Sequence, residues 1–435
     1  MKSDEKTDAE AELEAILRER AAGFPGSETS PYVEDVDAEL ARVCDWLTDE
    51  QTAEGLWPEG RINLRFYSDA YAVRALLAAA HLFGETRYLD AACRWLRHVV
   101  GAQRADGGWW TGYGVGDHDW DSPEADRSVV YVADAGEVSL ALVNAYHQLC
   151  AAAKTRALAD EIKTSLLRFR KFTELFRLRS GAMGLGYTRR DFYAGHVTRT
   201  FMQAHHRTYP FATAATGVNF YAGLFTVTGE AADWERAMQS LDWCLENMGS
   251  ASRPGGAGTV ESNDARDLIA LHRVGDWAFD CSPAPRDEAH AERDGTPEPR
   301  YADSERQKLY ATWKYMMHLV ADGQSGLGEW PVLRGGKPLV LYDGQLRHRL
   351  YFLYSLTSYL QNAGPRPGED DRLVEARDRQ LWLCADADIL RDHYGVGMPG
   401  VHVMTSGLWG MTLAELIVPG ITLPSGIRRT AGDTR

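Results

Sequence analysis

Among the 435 residues there is no C-x-x-C pair, and the six cysteines (Cys44, Cys93, Cys150, Cys244, Cys281 and Cys384) are widely scattered. That excludes a disulfide framework and a cysteine-rich zinc site, and five of the six fall in helical patterns where a thiol acts as a small buried hydrophobe. No run approaches the roughly 18 apolar residues that would span a membrane. The N-terminal MKSDEKTDAEAELEAILRER lacks the apolar core of a signal peptide, so a cytoplasmic location is expected. Positive charge is scarce: the net charge of -15 argues against nucleic acid as a partner. Strand-like alternation is almost missing as well, and helical periodicity fills the space it leaves.

A spacing of Gln, Gly and Trp, Q-x-x-x-G-x-W, occurs at Gln51–Gly55–Trp57, Gln103–Gly107–Trp109 and Gln324–Gly328–Trp330. Each follows an amphipathic segment: DAELARVCDWLTDEQ, YLDAACRWLRHVVGAQ and LYATWKYMMHLVADGQ. Each precedes a Gly-rich loop and a more apolar helix, at 67–83, 131–149 and 341–360. Three further pairs repeat the plan without the glutamine: 155–176 with 212–229, 231–248 with 264–280, and 368–390 with 403–418. Helices apolar all round must be buried, and amphipathic ones must cover them. The closed solution is all-α: an (α/α)6 barrel of six hairpins with an inner and an outer ring. It spans 31–425, after a charged helical extension at 1–30 and before a loose tail at 426–435. Surface insertions are expected at 250–264 and 281–305, which are rich in Pro, Gly or charge.

The helix–loop–helix units with this motif resemble the QW repeats of terpenoid cyclases and protein prenyltransferases. The hairpin series also resembles the six-hairpin glycosidases, lyases and sugar epimerases. The first resemblance implies carbocation chemistry on an isoprenoid, but the D-x-D-D acid of a class II cyclase is absent. A prenyltransferase zinc ligand is missing too, since Gln345 in LYDGQ stands where its cysteine would be. On the other side, YVADAGEVSLAL at 131–142 is similar to the inner-helix segment of unsaturated glucuronyl hydrolases, and the match falls on Asp134.

Links from inner to outer helices are short (84–86, 229–231), whereas outer-to-inner links are long (104–130, 177–211, 391–402). The long loops therefore gather at one end, where the inner helices begin and where a site is expected. Three inner helices open with an aspartate: Asp69, Asp134 and Asp343. Each is either an N-cap or part of a carboxylate ring at a cavity mouth. Asp134 is the proposed acid/base with Asp69 or Asp343 as second carboxylate; Glu137, one turn on, is a neighbour or a second dipole partner.

The loop before Asp134 carries Asp117, Asp119, Asp121 and Asp126 beside Trp110 and Trp120. It is a solvated acidic loop, a divalent-cation site on alternating oxygens, or a sugar-binding wall of Asp119, Asp121, Trp110 and Trp120. No other cofactor is expected. The loop 188–211 is basic, with Arg189, Arg199, His205, His206 and Arg207. It either pairs with the acidic loop or holds a substrate anion. His206 and Tyr209 are the residue types of a lyase base, with Asn219 and His402 as further substrate contacts. The composite expectation is a carbohydrate-active enzyme of glycosidase or lyase type acting on an acidic oligosaccharide, without nucleic acid or membrane as partner. The alternative is a terpenoid cyclase-like enzyme.

Overall fold

The computed structural model describes residues 19, 22–26, 32–57, 62–63, 66–110, 114–115, 129–184, 186–188, 194–196, 198, 212–247, 330–334, 337–339, 345–363, 368, 371–385 and 402–423. Within these, the amphipathic and apolar helices alternate as the sequence requires. The outer helices are α1 (Val36–Asp49), α3 (Thr86–Gly101), α5 (Arg156–Thr173), α7 (Ala231–Asn247) and α9 (Asp371–Cys384). The inner ones are α2 (Tyr67–Phe83), α4 (Val132–Leu149), a π-helical stretch Thr213–Phe220 continuing into α6 (Tyr221–Thr228), α8 (Gln345–Ala363) and α10 (His402–Ile417). Segments 264–280 and 309–324, expected to complete the two rings, lie outside the described residues.

The outer helices bury one stripe only; in α1 it is Leu40, Val43, Cys44 and Leu47, at the spacing of one helical face. By contrast, every residue of α2 from Tyr67 to Ala80 is buried. Around the inner ring α8 packs on α10, α10 on α2, α2 on α4, and α4 on the π-helical stretch. Each outer helix lies against the inner helix that precedes or follows it in the chain. This is the (α/α)6 toroid. No described helix is long and apolar enough to cross a membrane.

The QW spacing is a clasp between neighbouring outer helices. Trp57 Nε1 donates to Leu47 O (2.7 Å) and Trp109 Nε1 to Val99 O (2.9 Å), so each indole satisfies a carbonyl in the last turn of its own helix. Gln51 Nε2 donates to Gly55 O (2.9 Å) and to Ala91 O (3.1 Å) on the next outer helix. Gln103 Nε2 does the same with Gly107 O (2.8 Å) and Ser165 O (3.0 Å). The glycines have φ of 88° and 100°, and a Cβ on either would collide with backbone of the adjacent helix, at Arg94 or Arg168. We expect Gly107→Ala to cost about 3 kcal/mol, from the left-handed backbone and the collision together. Gly101→Ala, at a position with open space around it, should instead be neutral or mildly stabilising. Urea midpoints of the two variants check this pair.

A third clasp has different letters. In Arg177–Gly181–Met183 the same turn forms, with Leu178 N donating to Ala182 O (2.9 Å) and Gly181 N to Leu178 O (3.0 Å). Arg177 takes the place of glutamine, donating to Gln239 Oε1 (2.6 Å) and Arg236 O (3.4 Å) on α7. Of the Gln324 motif only Trp330 is described, where it opens a short strand, β5 (Trp330–Arg334), paired with β6 (Lys337–Leu339).

One end of the barrel is closed. After α10 the chain turns at Gly420 and inserts Ile421, Thr422 and Leu423 among the inner helices, all three nearly inaccessible. Glu415 accepts from Gly420 N (2.7 Å), Thr422 N (2.8 Å) and Thr422 Oγ1 (2.5 Å). Arg74 of α2 donates to Thr422 O (3.2 Å) and Asn144 Oδ1 (2.9 Å), Asn144 Nδ2 donates to Leu423 O (3.0 Å), and the Tyr354 hydroxyl of α8 bonds Thr422 Oγ1 (2.9 Å). This buried polar plug ties together α2, α4, α8 and α10 at the end toward which the inner helices run.

Candidate active site

At the opposite end, where the inner helices begin, the described parts of the long loops pair with one another. β1 (Ile62–Asn63) pairs antiparallel with β2 (Gly114–Val115), joining the first loop to the second. β3 (Val129–Tyr131) pairs with β4 (Gly186–Thr188), joining the second to the third. β3 runs directly into α4, so the strand that borders the basic loop also sets the start of the helix bearing Asp134.

Asp134 is the third residue of α4 and Asp69 the third of α2. Neither occupies the N-cap position, since both helices begin three residues earlier than a cap at these aspartates requires. The α2 cap is Phe66, which sits in the left-handed region at φ 66°, a costly conformation for a bulky residue and one met at functional sites. Both aspartates are buried, at 3% exposure for Asp134 and 5% for Asp69. Their surroundings differ. Asp69 Oδ2 accepts from Trp95 Nε1 of the outer helix α3 (3.1 Å), so this carboxylate is turned at least partly away from the barrel axis. Glu137, one turn beyond Asp134, is equally buried. Residues at i and i+3 are about 5–6 Å apart at Cβ, so α4 brings two carboxylates to one face at its N-terminal end. Burial of two such groups in one turn is expensive and asks for a function or for close partners.

The neighbouring inner element is bound closely to α4. Thr216 Oγ1 donates to Val132 O (2.5 Å), and a Cβ on Gly136 would collide with Thr216. Asn219 lies on the same π-helical stretch, 1% exposed, and its Oδ1 has no hydrogen-bond partner among the described residues. π-helical insertions are uncommon and concentrate at functional sites.

At the rim, Trp110 is half-buried, with the Arg104 guanidinium 4.1 Å from its ring centroid and Tyr187 edge-on at 6.0 Å. Trp109 is a core residue held in the clasp, as its hydrogen bond to Val99 requires. His402 is the first residue of α10 and so stands at an inner-helix start, not in the preceding loop. Asp343, Asp117, Asp119, Trp120, Asp121, Asp126, Arg189, Arg199, His205, His206, Arg207 and Tyr209 lie outside the described residues. Among the described residues no cluster of His, Cys, Asp and Glu is arranged to hold a metal ion.

Glu137, a neighbour or a second dipole partner in the sequence reading, is buried as fully as Asp134. Sequence reasoning missed the buried Arg74, bonded to Thr422 O from 348 residues away, and Glu415, which holds the turn that brings Thr422 there. The clasps, being backbone contacts between outer helices, report fold and carry no information about a substrate.

No protein-family model matches the chain, and no curated protein matches it in sequence. Solved structures do match its fold. A sugar epimerase from a ruminal bacterium superposes with a TM-score of 0.55 at 10% identity, over 88% of this chain and 98% of that one. A GH76 α-mannanase of Bacteroides thetaiotaomicron gives 0.50 at 11% identity, over 92% and 98%. An inactive variant of a Salegentibacter α-1,6-mannanase, with two neighbouring aspartates replaced by alanine and α-1,6-mannotetrose bound, also gives 0.50 at 11% identity, over 88% and 99%. The chain thus has the six-hairpin (α/α)6 toroid fold over nearly the full length of these proteins.

Proposed function

We propose that this protein is a carbohydrate-active enzyme that works at the end of the toroid where the inner helices begin, by acid/base chemistry on an acidic oligosaccharide. The observation that carries the reading is the pair of buried carboxylates, Asp134 and Glu137, on the first turns of α4, at the end of the barrel away from the plug. Glycosidic chemistry needs two carboxyl groups with separated protonation behaviour, and an i, i+3 pair places two on one face of a helix. In this reading Asp134 transfers the proton. Glu137 is the second carboxylate in place of Asp69, whose oxygen is engaged by Trp95. The carbohydrate-active toroids of the same fold support the substrate class.

The anionic character rests on the chain itself. Arg189, Arg199, His205 and Arg207 cluster in the loop that leaves β4, in a protein of net charge -15. Such a cluster suits a uronate carboxylate through paired hydrogen bonds. The chemistry need not copy the mannanases: consecutive aspartates occur here only at Asp370–Asp371, and Asp371 is exposed at the start of an outer helix. The test is turnover of an unsaturated glucuronyl disaccharide, α-1,6-mannotetraose, and farnesyl and geranylgeranyl diphosphates side by side. Turnover of the uronide supports the reading, mannan turnover alone removes the acidic substrate, and turnover of a diphosphate overturns the class. Arg207→Ala should raise KM for the uronide about tenfold at similar kcat, because binding an anion through a guanidinium acts equally on ground and transition states. An unchanged KM removes the anion site from that loop.

A further inference from the structure

We infer that Tyr187, through its hydrogen bond to Asp106, is a positioning residue that fixes the β3–β4 pairing and with it the start of α4 that carries Asp134. This rests on the reading of Asp134 as the acid/base. Asp106 lies inside the second clasp, between Gln103 and Trp109, where its Oδ1 accepts from Gly108 N (3.1 Å). Its other oxygen accepts from the Tyr187 hydroxyl at 2.6 Å. Tyr187 is 3% exposed, stacked on Phe176 (6.1 Å, 17°) and set edge-on to Phe172 and Trp110. Burial first, then the Asp106 charge, pushes its phenol far above the ordinary tyrosine range, so the hydroxyl stays a donor throughout the working pH range.

Tyr187 is the middle residue of β4 and pairs with Val130 of β3, while Gly186 pairs with Tyr131, the residue immediately before α4. The strand on one side of this pairing leads to Asp134 and the strand on the other leads into 188–211. A single phenol–carboxylate bond therefore anchors both to the clasp between α3 and α5. Arg104 adds to the same point: its Nε is 3.5 Å from Asp106 Oδ2 while its guanidinium covers Trp110. Strands of three residues have little pairing energy of their own, so their register depends on such an anchor.

The test compares Tyr187→Phe, Asp106→Ala, Asp106→Asn and Asp134→Asn, with an unsaturated glucuronyl disaccharide as probe. Tyr187→Phe and Asp106→Ala are each expected to lower kcat about tenfold with KM within about twofold, and to speed amide exchange in 129–131 and 186–188. The double variant should lose no more than either single one, and Asp106→Asn, which keeps an acceptor, should recover most of the rate. Unchanged kcat in Tyr187→Phe, a loss that only tracks the unfolded fraction, or unaltered exchange in both strands overturns the positioning role. If Asp134→Asn keeps full turnover, or the wild type leaves the disaccharide intact, the functional reading fails instead. The exchange rates of the two strands then decide the anchor by themselves.

Discussion

Asp134→Asn should reduce turnover of the glucuronyl probe by about a thousandfold or more while leaving the fold in place. General acid/base transfer contributes about 10²–10⁴ in rate, and an amide cannot replace the carboxylate in it. The stability cost should be small for a definable reason. Asp134 stands in the first turn of α4, where a negative charge interacts favourably with the helix dipole. Removing that charge costs about 1 kcal/mol, and Asn preserves the shape of the side chain in its buried setting. Measured together, kcat and the urea midpoint separate the two roles that the sequence leaves open for this residue. A midpoint that collapses with near-normal specific activity in the folded fraction would make Asp134 a helix-start residue and nothing more. Glu137→Gln gives the companion measurement: as second carboxylate it should lose a comparable factor, and as a dipole partner almost none.

Most of the architecture is written in residue periodicity, and the site only partly so. The inner helix expected at 67–83 forms as Tyr67–Phe83, and that expected at 403–418 as His402–Ile417, because an all-round apolar segment bounded by glycine has few other solutions. The clasp was legible as a repeat where glutamine and tryptophan recur. It was invisible at Arg177, where a guanidinium and Met183 build the same turn from other side chains. The rim pairings of two or three residues are too short to show alternation, and their register is dictated by neighbours such as Tyr187 and Asp106. The division of labour among the aspartates was also hidden. Asp69 and Asp134 look alike in sequence, each a carboxylate opening an apolar helix. The indole of Trp95, brought over from the next helix, sets Asp69 apart. The insertion of Thr422 among the inner helices was equally unreadable, since nothing in GITL marks it off from an ordinary end of the domain.

Glu415→Ala should be among the most destabilising single changes in the chain, by about 3–5 kcal/mol, with the site at the opposite end untouched. The carboxylate is fully buried and accepts from two backbone amides and one hydroxyl of the 420–422 segment. Its removal leaves those donors without acceptors in a buried setting, which is the situation that makes such deletions costly. Glu415→Gln should not rescue it well. One carboxamide position becomes a donor facing the Gly420 or Thr422 amide, so a loss of about 2 kcal/mol remains. The urea midpoints of both variants measure this, and kcat and KM of the folded fraction should stay at wild-type values. A stable Glu415→Ala would mean that the segment is only laid against the barrel. A stable fold with altered kcat would mean that the polar plug reaches into the chemistry, and the site would then have to be sought along the whole axis instead of at its mouth.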